Sequence, residues 1–365
     1  MAPRPPREPG EIAWLPFRGK GTTIGSAATL QLGRPTLSHE YPFDPTYGYD
    51  LAGLLAVEPP AEPAGFVPFW QDRYARALAV DPAPRLTPSS HTRPGMRVFD
   101  VEYQSTDGVT IRGWFLEPDG RPARQALVVG LGYGGLERPD LALPRTDAAY
   151  LIPSQRGLGR SVHPPISANP AFHVLHDLHR RDRYVLGGCV EDVWGAVSAL
   201  EALRPHLAGR LGYVGHSFGG GIGALALAWE PRLSLAHLDV PSFGHHPLRL
   251  RLPTTGAAAA VQAFAKRHGD VSDTLAFYDC SVAARHIRQP MHVAAALFDP
   301  VVAPPGQFAI YNALPGTKTL FVRTAGHFTF EASAAEDRTL QSDVEGFFSS
   351  NEQGVPPLAQ PAPGP

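Results

Sequence analysis

Apolar and polar positions divide the chain into an irregular front and a regular body. In the front, FVPFWQDRYARALA at 66–79 repeats its apolar residues at helical spacing. From Met96 the pattern alternates. Val98, Phe99, Val101 and Tyr103 mark a strand over 97–104, Asp107-Gly108 carries a hairpin-turn signal, and 109–116 reads as the returning strand. Beyond it, short apolar runs alternate with helical patterns. Strands are predicted at 126–130, 148–152, 211–215, 234–240, 291–298 and 319–323. Helices are predicted at 190–203, 218–229, 304–314 and 334–348. A hairpin followed by repeated βα units predicts an α/β fold with a mostly parallel central sheet and helices on both faces.

Five segments depart from this rhythm. Residues 1–35 read as a tail, and 351–365 as a second, proline-rich tail. Residues 36–95 form a lead-in expected to pack on the core. Turn formers surround Tyr41, Phe43, Tyr47 and Tyr49, and 81–94 reads as a proline-rich link. The main domain then spans 96–350. Within it, 161–188 and 242–280 are too long for plain connections and are expected to lie over the sheet's C-terminal edge.

Composition changes this picture in few places. The 39 prolines and 37 glycines among 365 residues exceed the ordinary share and predict many turns. Basic and acidic residues nearly balance, 32 against 34, so neither nucleic acid nor an anionic membrane is an expected partner. Cys189 and Cys280 form no CxxC and no metal spacing, and are expected to be reduced core thiols. The first residues, MAPRPPREPG, hold no apolar signal region, and no run approaches the length of a membrane span. A cytoplasmic location is expected.

The strongest chemical signal is Gly215-His216-Ser217-Phe218-Gly219, between a predicted strand and a predicted helix. That context fits a nucleophile elbow, in which small neighbours let a serine sit in a strained strand-to-helix turn. A serine nucleophile needs a base, and the base needs an orienting acid. Asp299 ends the 291–298 run and is the favoured acid. Asp239, one strand earlier, is its rival. His327, after the 319–323 strand, is the expected base. Gly130 to Gly135 follows the 126–130 strand, where a second oxyanion donor belongs. The N–H groups of Tyr133 and Phe218 are the expected pair. No metal or organic cofactor is expected. His173, His176 and His179, with Asp177 among them, read as polar groups of an insertion rather than a metal site. The His245-His246 pair is a candidate for lining the pocket. Ser154 lacks the flanks of an elbow.

Taken together these motifs resemble the acetyl xylan esterase and cephalosporin C deacetylase group, carbohydrate esterase family seven, from about residue 66 to 348. The family's glycine-tyrosine loop is matched by Gly132-Tyr133-Gly134-Gly135. Its Arg-Gly-Gln-Gly motif is echoed by Arg156-Gly157-Leu158-Gly159, and its elbow by 215–220. Its Asp-Val-Pro appears as Asp239-Val240-Pro241, and its late acid text as FDPVVAPP at 298–305. The resemblance implies an α/β-hydrolase fold and a serine esterase removing acetyl-type groups from small-molecule or oligosaccharide esters. Ser217, Asp299 and His327 fall on the family's catalytic positions. A homo-oligomer, commonly a hexameric ring, is also implied. Substrate-pocket candidates are Arg156, Leu158, His216, His245 and Phe328. Four departures stand out: Phe218 and Leu158 replace glutamines, Ser154 replaces an aspartate, and Phe328 replaces a glutamate. They predict a more apolar surround and tolerance of a more hydrophobic acyl or alcohol group. Two other readings are a prolyl-oligopeptidase-type peptidase, for which no propeller-sized front exists, and a catalytically silent binding protein.

Overall fold

The structure, a computed structural model, describes residues 33–351. The two expected tails lie almost wholly outside the described residues. One sheet of nine strands organises the described part. The strands are β1 Arg85–Pro88, β2 Met96–Gln104, β3 Thr110–Pro118, β4 Gln125–Gly130, β5 Ala148–Pro153, β6 Leu211–His216, β7 Leu233–Asp239, β8 Met291–Ala296 and β9 Lys318–Arg323. Their spatial order is β1-β2-β3-β5-β4-β6-β7-β8-β9. The first three and the β3–β5 pair are antiparallel, and every pairing from β5 through β4 to β9 is parallel. This is the α/β-hydrolase arrangement that the motifs imply.

Strands β4, β5 and β8 are buried along their whole length, which explains their largely apolar text. Two hydrophobic layers cover the sheet. Trp70, Phe115 and Trp194 belong to one, with Trp114, Tyr150 and Phe348 in the other. Each such fully buried side chain is worth roughly 1.5–3 kcal/mol of transfer free energy.

Two expectations need correction. The 81–94 link contains β1, an edge strand paired with β2. An edge tolerates Pro88 because that position needs no donor on its outer side. The helix expected from residue 190 runs Val185–Leu203 instead. Gly187 and Gly188 look like loop punctuation, yet they sit where side chains would collide with the guanidinium groups of Arg73 and Arg156. The first insertion is shortened accordingly. The second insertion carries helices at His246–Arg249, Gly256–His268 and Ser272–Ala276.

The lead-in reaches the site. Trp70 Nε1 donates to the Phe277 carbonyl at 2.9 Å, and Asn312 Nδ2 to the carbonyls of Leu54 and Val57. The Asp299 N–H donates to the Pro45 carbonyl at 3.0 Å. Cys189 and Cys280 are buried free thiols. Among the described residues no helix is long and apolar enough to cross a membrane.

Parallel register is what assembles the site. Strands β6, β7, β8 and β9 are neighbours running in one direction. Their C-terminal tips therefore gather Ser217, Asp239, Asp299 and His327 along one edge.

Candidate active site

Ser217 lies between β6 and the Phe218–Leu227 helix with φ 52° and ψ −113°. That conformation costs a non-glycine residue about 1–3 kcal/mol. Surrounding hydrogen bonds hold it. The Ser217 N–H donates to the Asp239 carbonyl at 2.9 Å, and the Ser217 carbonyl accepts from Ser242 and Gly221, both at 3.0 Å. Gly219 must lack a side chain, since a Cβ there would strike the Gly130 backbone.

His327 links the other two residues. Its Nε2 is 2.7 Å from Ser217 Oγ, and its Nδ1 is 2.7 Å from Asp299 Oδ2. Asp299 is fully buried, and its position is fixed from three sides. Oδ1 accepts the N–H groups of Val301 and Val302, each at 2.9 Å, and Oδ2 accepts Gln307 Nε2 at 3.0 Å. Gln307 Oε1 in turn accepts the Ala296 N–H at 2.8 Å. Burial works against charging His327, but the Asp299 charge and hydrogen bond outweigh it, so its pKa is raised.

The turn at 130–135 packs directly on the Ser217 turn. A Cβ at Gly132 would stand 3.7 Å from the Ser217 Cβ. The Tyr133 ring stacks on Phe218 with centroids 4.0 Å apart. Phe218 opens its helix, where a backbone N–H has no intrahelical acceptor. The Tyr133 hydroxyl is 3.2 Å from His173 Nδ1, and His173 Nε2 is 3.0 Å from the Arg156 carbonyl. A carbonyl only accepts, so Nε2 carries the proton and Nδ1 accepts from Tyr133. Burial pushes the His173 pKa down to about 4, which keeps the ring neutral for this task.

Asp239 does not reach His327. Its carboxylate holds His216 Nδ1 at 2.9 Å and Arg323 at 3.1 and 3.2 Å. Burial alone would raise its pKa. Arg323 and His216 reverse that and hold it far below the usual carboxylate range.

The pocket candidates divide. His216 stays beside the site, its ring 5.7 Å from that of His327. Phe328 packs near Phe298 and Tyr41, at 5.0 and 6.3 Å, and makes an aromatic wall. His245 is half-buried and caps the His246–Arg249 helix, its Nδ1 accepting the Leu248 N–H at 3.3 Å. Leu158 is a core residue. Arg156 is not a pocket residue. Its guanidinium is spent on Asp192 at 2.7 Å and on Ser105 and Thr106, because a buried cation needs enclosing acceptors. His176 and His179 do not join His173, and no group of three or more His, Cys, Asp or Glu side chains placed to hold a metal ion occurs among the described residues. Gln307 and Arg323 escaped the sequence reading, as did the link that His173 makes between Tyr133 and the Arg156 carbonyl. No motif marks them, and their partners lie 8, 84 and 17 to 40 residues away.

The sequence model of the acetyl xylan esterase family matches residues 58–341. Solved structures agree in fold. Acetyl xylan esterase 1 from Thermoanaerobacterium sp. JW/SL YS485 superposes with a TM-score of 0.68 at 20% identity, over 80% of this chain and 98% of that one. The acetyl xylan esterase from Paenibacillus sp. R4 gives 0.69 at 22% identity, over 81% and 99%. The Pyrococcus horikoshii acylaminoacyl peptidase gives 0.55 at 13% identity, over 71% of this chain and 42% of that one. The chain thus belongs to the acetyl xylan esterase family and is a carboxylic ester hydrolase.

Proposed function

We propose that this hydrolase cleaves short, acetyl-type esters of carbohydrates or related small molecules through an acyl-enzyme. Ser217 Oγ attacks the ester carbonyl while His327 Nε2 takes its proton. The Tyr133 and Phe218 N–H groups meet the developing oxyanion. His327 then returns the proton to the leaving alcohol, and Asp299 keeps the imidazole in the required tautomer. Water, activated by the same histidine, releases the acid. The observation that carries this reading is the double bridge of His327, 2.7 Å to each partner. The aromatic wall of Phe328 with Phe298 and Tyr41 supports tolerance of acyl or alcohol groups larger and less polar than those of acetylated xylan. A homo-oligomeric state, a hexamer by resemblance, and a cytoplasmic location complete the proposal.

The test is hydrolysis of para-nitrophenyl acetate, butyrate and octanoate by the native protein and by Ser217→Ala. The variant is expected to lose activity by about a millionfold, to the residual that binding and the oxyanion turn alone supply. Equal activity of the two proteins rejects the mechanism. Cleavage of acetate alone rejects the apolar surround.

A further inference from the structure

His216 stands beside the nucleophile with one ring nitrogen unused. It ends β6 opposite Asp239 and directly precedes Ser217. Its Nδ1 meets Asp239 Oδ2 at 2.9 Å. An ionised carboxylate only accepts, so Nδ1 carries the proton. Arg323 already answers much of the Asp239 charge, so Asp239 orients the ring more than it charges it. A neutral imidazole held in this way presents a lone pair at Nε2. Both nitrogens of His327 and of His173 are engaged. The Nε2 of His216 has no hydrogen-bond partner among the described residues. It is not sealed from solvent either. The His216 side chain is 26% exposed, against 3% for the Asp239 that holds it.

The neighbours of that nitrogen are the groups that would surround an ester. The Cδ2 atom bonded to it borders the turn at 130–135. A Cβ on Gly132 would stand 3.2 Å from His216 Cδ2 and 3.7 Å from the Ser217 Cβ. The His216 ring is 5.7 Å from the ring of His327. Nε2 therefore borders the space between Ser217, His327 and that turn. In the proposed reaction the leaving oxygen takes its proton from His327 Nε2, so the alcohol lies alongside that ring. A hydroxyl on the adjacent carbon of the alcohol then comes within reach of His216. Two hydrogen bonds of about 2.8 Å, together with the gap between vicinal oxygens, span rings this far apart.

We propose that His216 Nε2 accepts a hydrogen bond from a free hydroxyl next to the ester on the alcohol part of the substrate. The protein thereby selects monoesters of vicinal diols, the arrangement found in a partly acylated sugar. This rests on the esterase reading of Ser217 and narrows its alcohol group. Two substrate pairs locate the hydroxyl. Ethylene glycol monoacetate against its methyl ether carries it on the alcohol. Ethyl glycolate against ethyl methoxyacetate carries it on the acyl part.

The native protein is expected to favour ethylene glycol monoacetate over its methyl ether by about fivefold in kcat/KM, as one neutral hydrogen bond allows. In His216→Phe that ratio is expected to fall to about one, chiefly through KM. His216→Gln can give an N–H to Asp239 and turn its amide oxygen outward, so part of the preference should remain. Absence of preference in the native protein overturns the proposal. So does a preference unchanged in a folded His216→Phe, or one confined to the acyl pair. A second readout needs neither turnover nor a His216 variant. In Ser217→Ala, followed by imidazole nitrogen NMR, ethylene glycol monoacetate should shift the His216 Nε2 signal and the methyl ether should not. Equal shifts, or none, overturn the proposal. A selective shift without ester cleavage by the native protein would fail the esterase reading alone. Cleavage without selective shift or preference would fail the His216 proposal alone.

Discussion

Two aspartate–histidine pairs stand side by side at the tips of β7 and β8, and only one of them reaches the serine. Asp299 holds His327 Nδ1 at 2.7 Å, and Asp239 holds His216 Nδ1 at 2.9 Å. The two rings are 5.7 Å apart. What separates the pairs is how each carboxylate is held. Backbone N–H groups and one neutral amide fix Asp299, so its full negative charge remains to stabilise an imidazolium. Asp239 faces Arg323, a full positive charge at 3.1 Å, and its own charge is largely answered before His216 is considered. Dipoles orient a carboxylate without cancelling it, whereas a counter-ion does both. The pair we propose to be catalytic and the pair we propose to be architectural share a sequence pattern, aspartate at a strand tip, and differ in that one respect.

The comparison breaks most sharply under amide replacement. Asp299→Asn keeps the shape but removes the charge and favours the wrong tautomer of His327. A loss in kcat of about 10³- to 10⁴-fold is expected. Asp239→Asn should cost no more than about tenfold in kcat and appear chiefly as lower stability, since it leaves Arg323 with less anionic company. Steady-state kinetics on one ester with both variants decides this. A larger kcat loss at Asp239 would exchange the two assignments.

Removing the counter-ion is the next largest step. Arg323→Met leaves Asp239 buried with only His216 as a partner. Breaking such an enclosed pair costs about 3–5 kcal/mol, and the urea midpoint should fall accordingly. The side chain of Asp239 is 3% exposed and that of Arg323 12%, so solvent does little to soften the loss. An unchanged midpoint would mean that Arg323 is dispensable and that the contrast with Asp299 is not electrostatic.

Much of this was readable in the text of the chain, for a physical reason. A nucleophile elbow needs small residues at fixed places, and Gly215, Gly219 and Gly220 surround Ser217 as that turn requires. Parallel strands bring their tips together, so Asp299 and His327 could be located by order alone. The supporting contacts were not readable. Arg156 looked like a pocket residue because its motif said so, but its fate depends on Asp192, which meets it only across the folded core. Gly187 and Gly188 looked like loop signals, but two arginine side chains demand glycine inside the helix there. Gln307 carries no motif at all. Its importance comes from one hydrogen bond to Asp299 and another to the Ala296 N–H.

The mildest test reads the same difference through pH. His327 must be neutral to accept the Ser217 proton, so activity falls as pH drops through its pKa. Burial lowers that pKa, while the charges of Asp299 and, more weakly, Asp239 raise it. Arg323 opposes them, and the net direction is up. The acid limb of kcat/KM should therefore lie above pH 6.5, the ordinary histidine value. Asp299→Asn removes the strongest raising charge and leaves burial in command, so the limb should move below 6.5 in whatever activity remains. Asp239→Asn removes a weaker raising charge but leaves Arg323 to oppose protonation more effectively, so its limb should also move down, by less. A limb that shifts further in Asp239→Asn than in Asp299→Asn would show that Asp239, rather than Asp299, controls the protonation of His327.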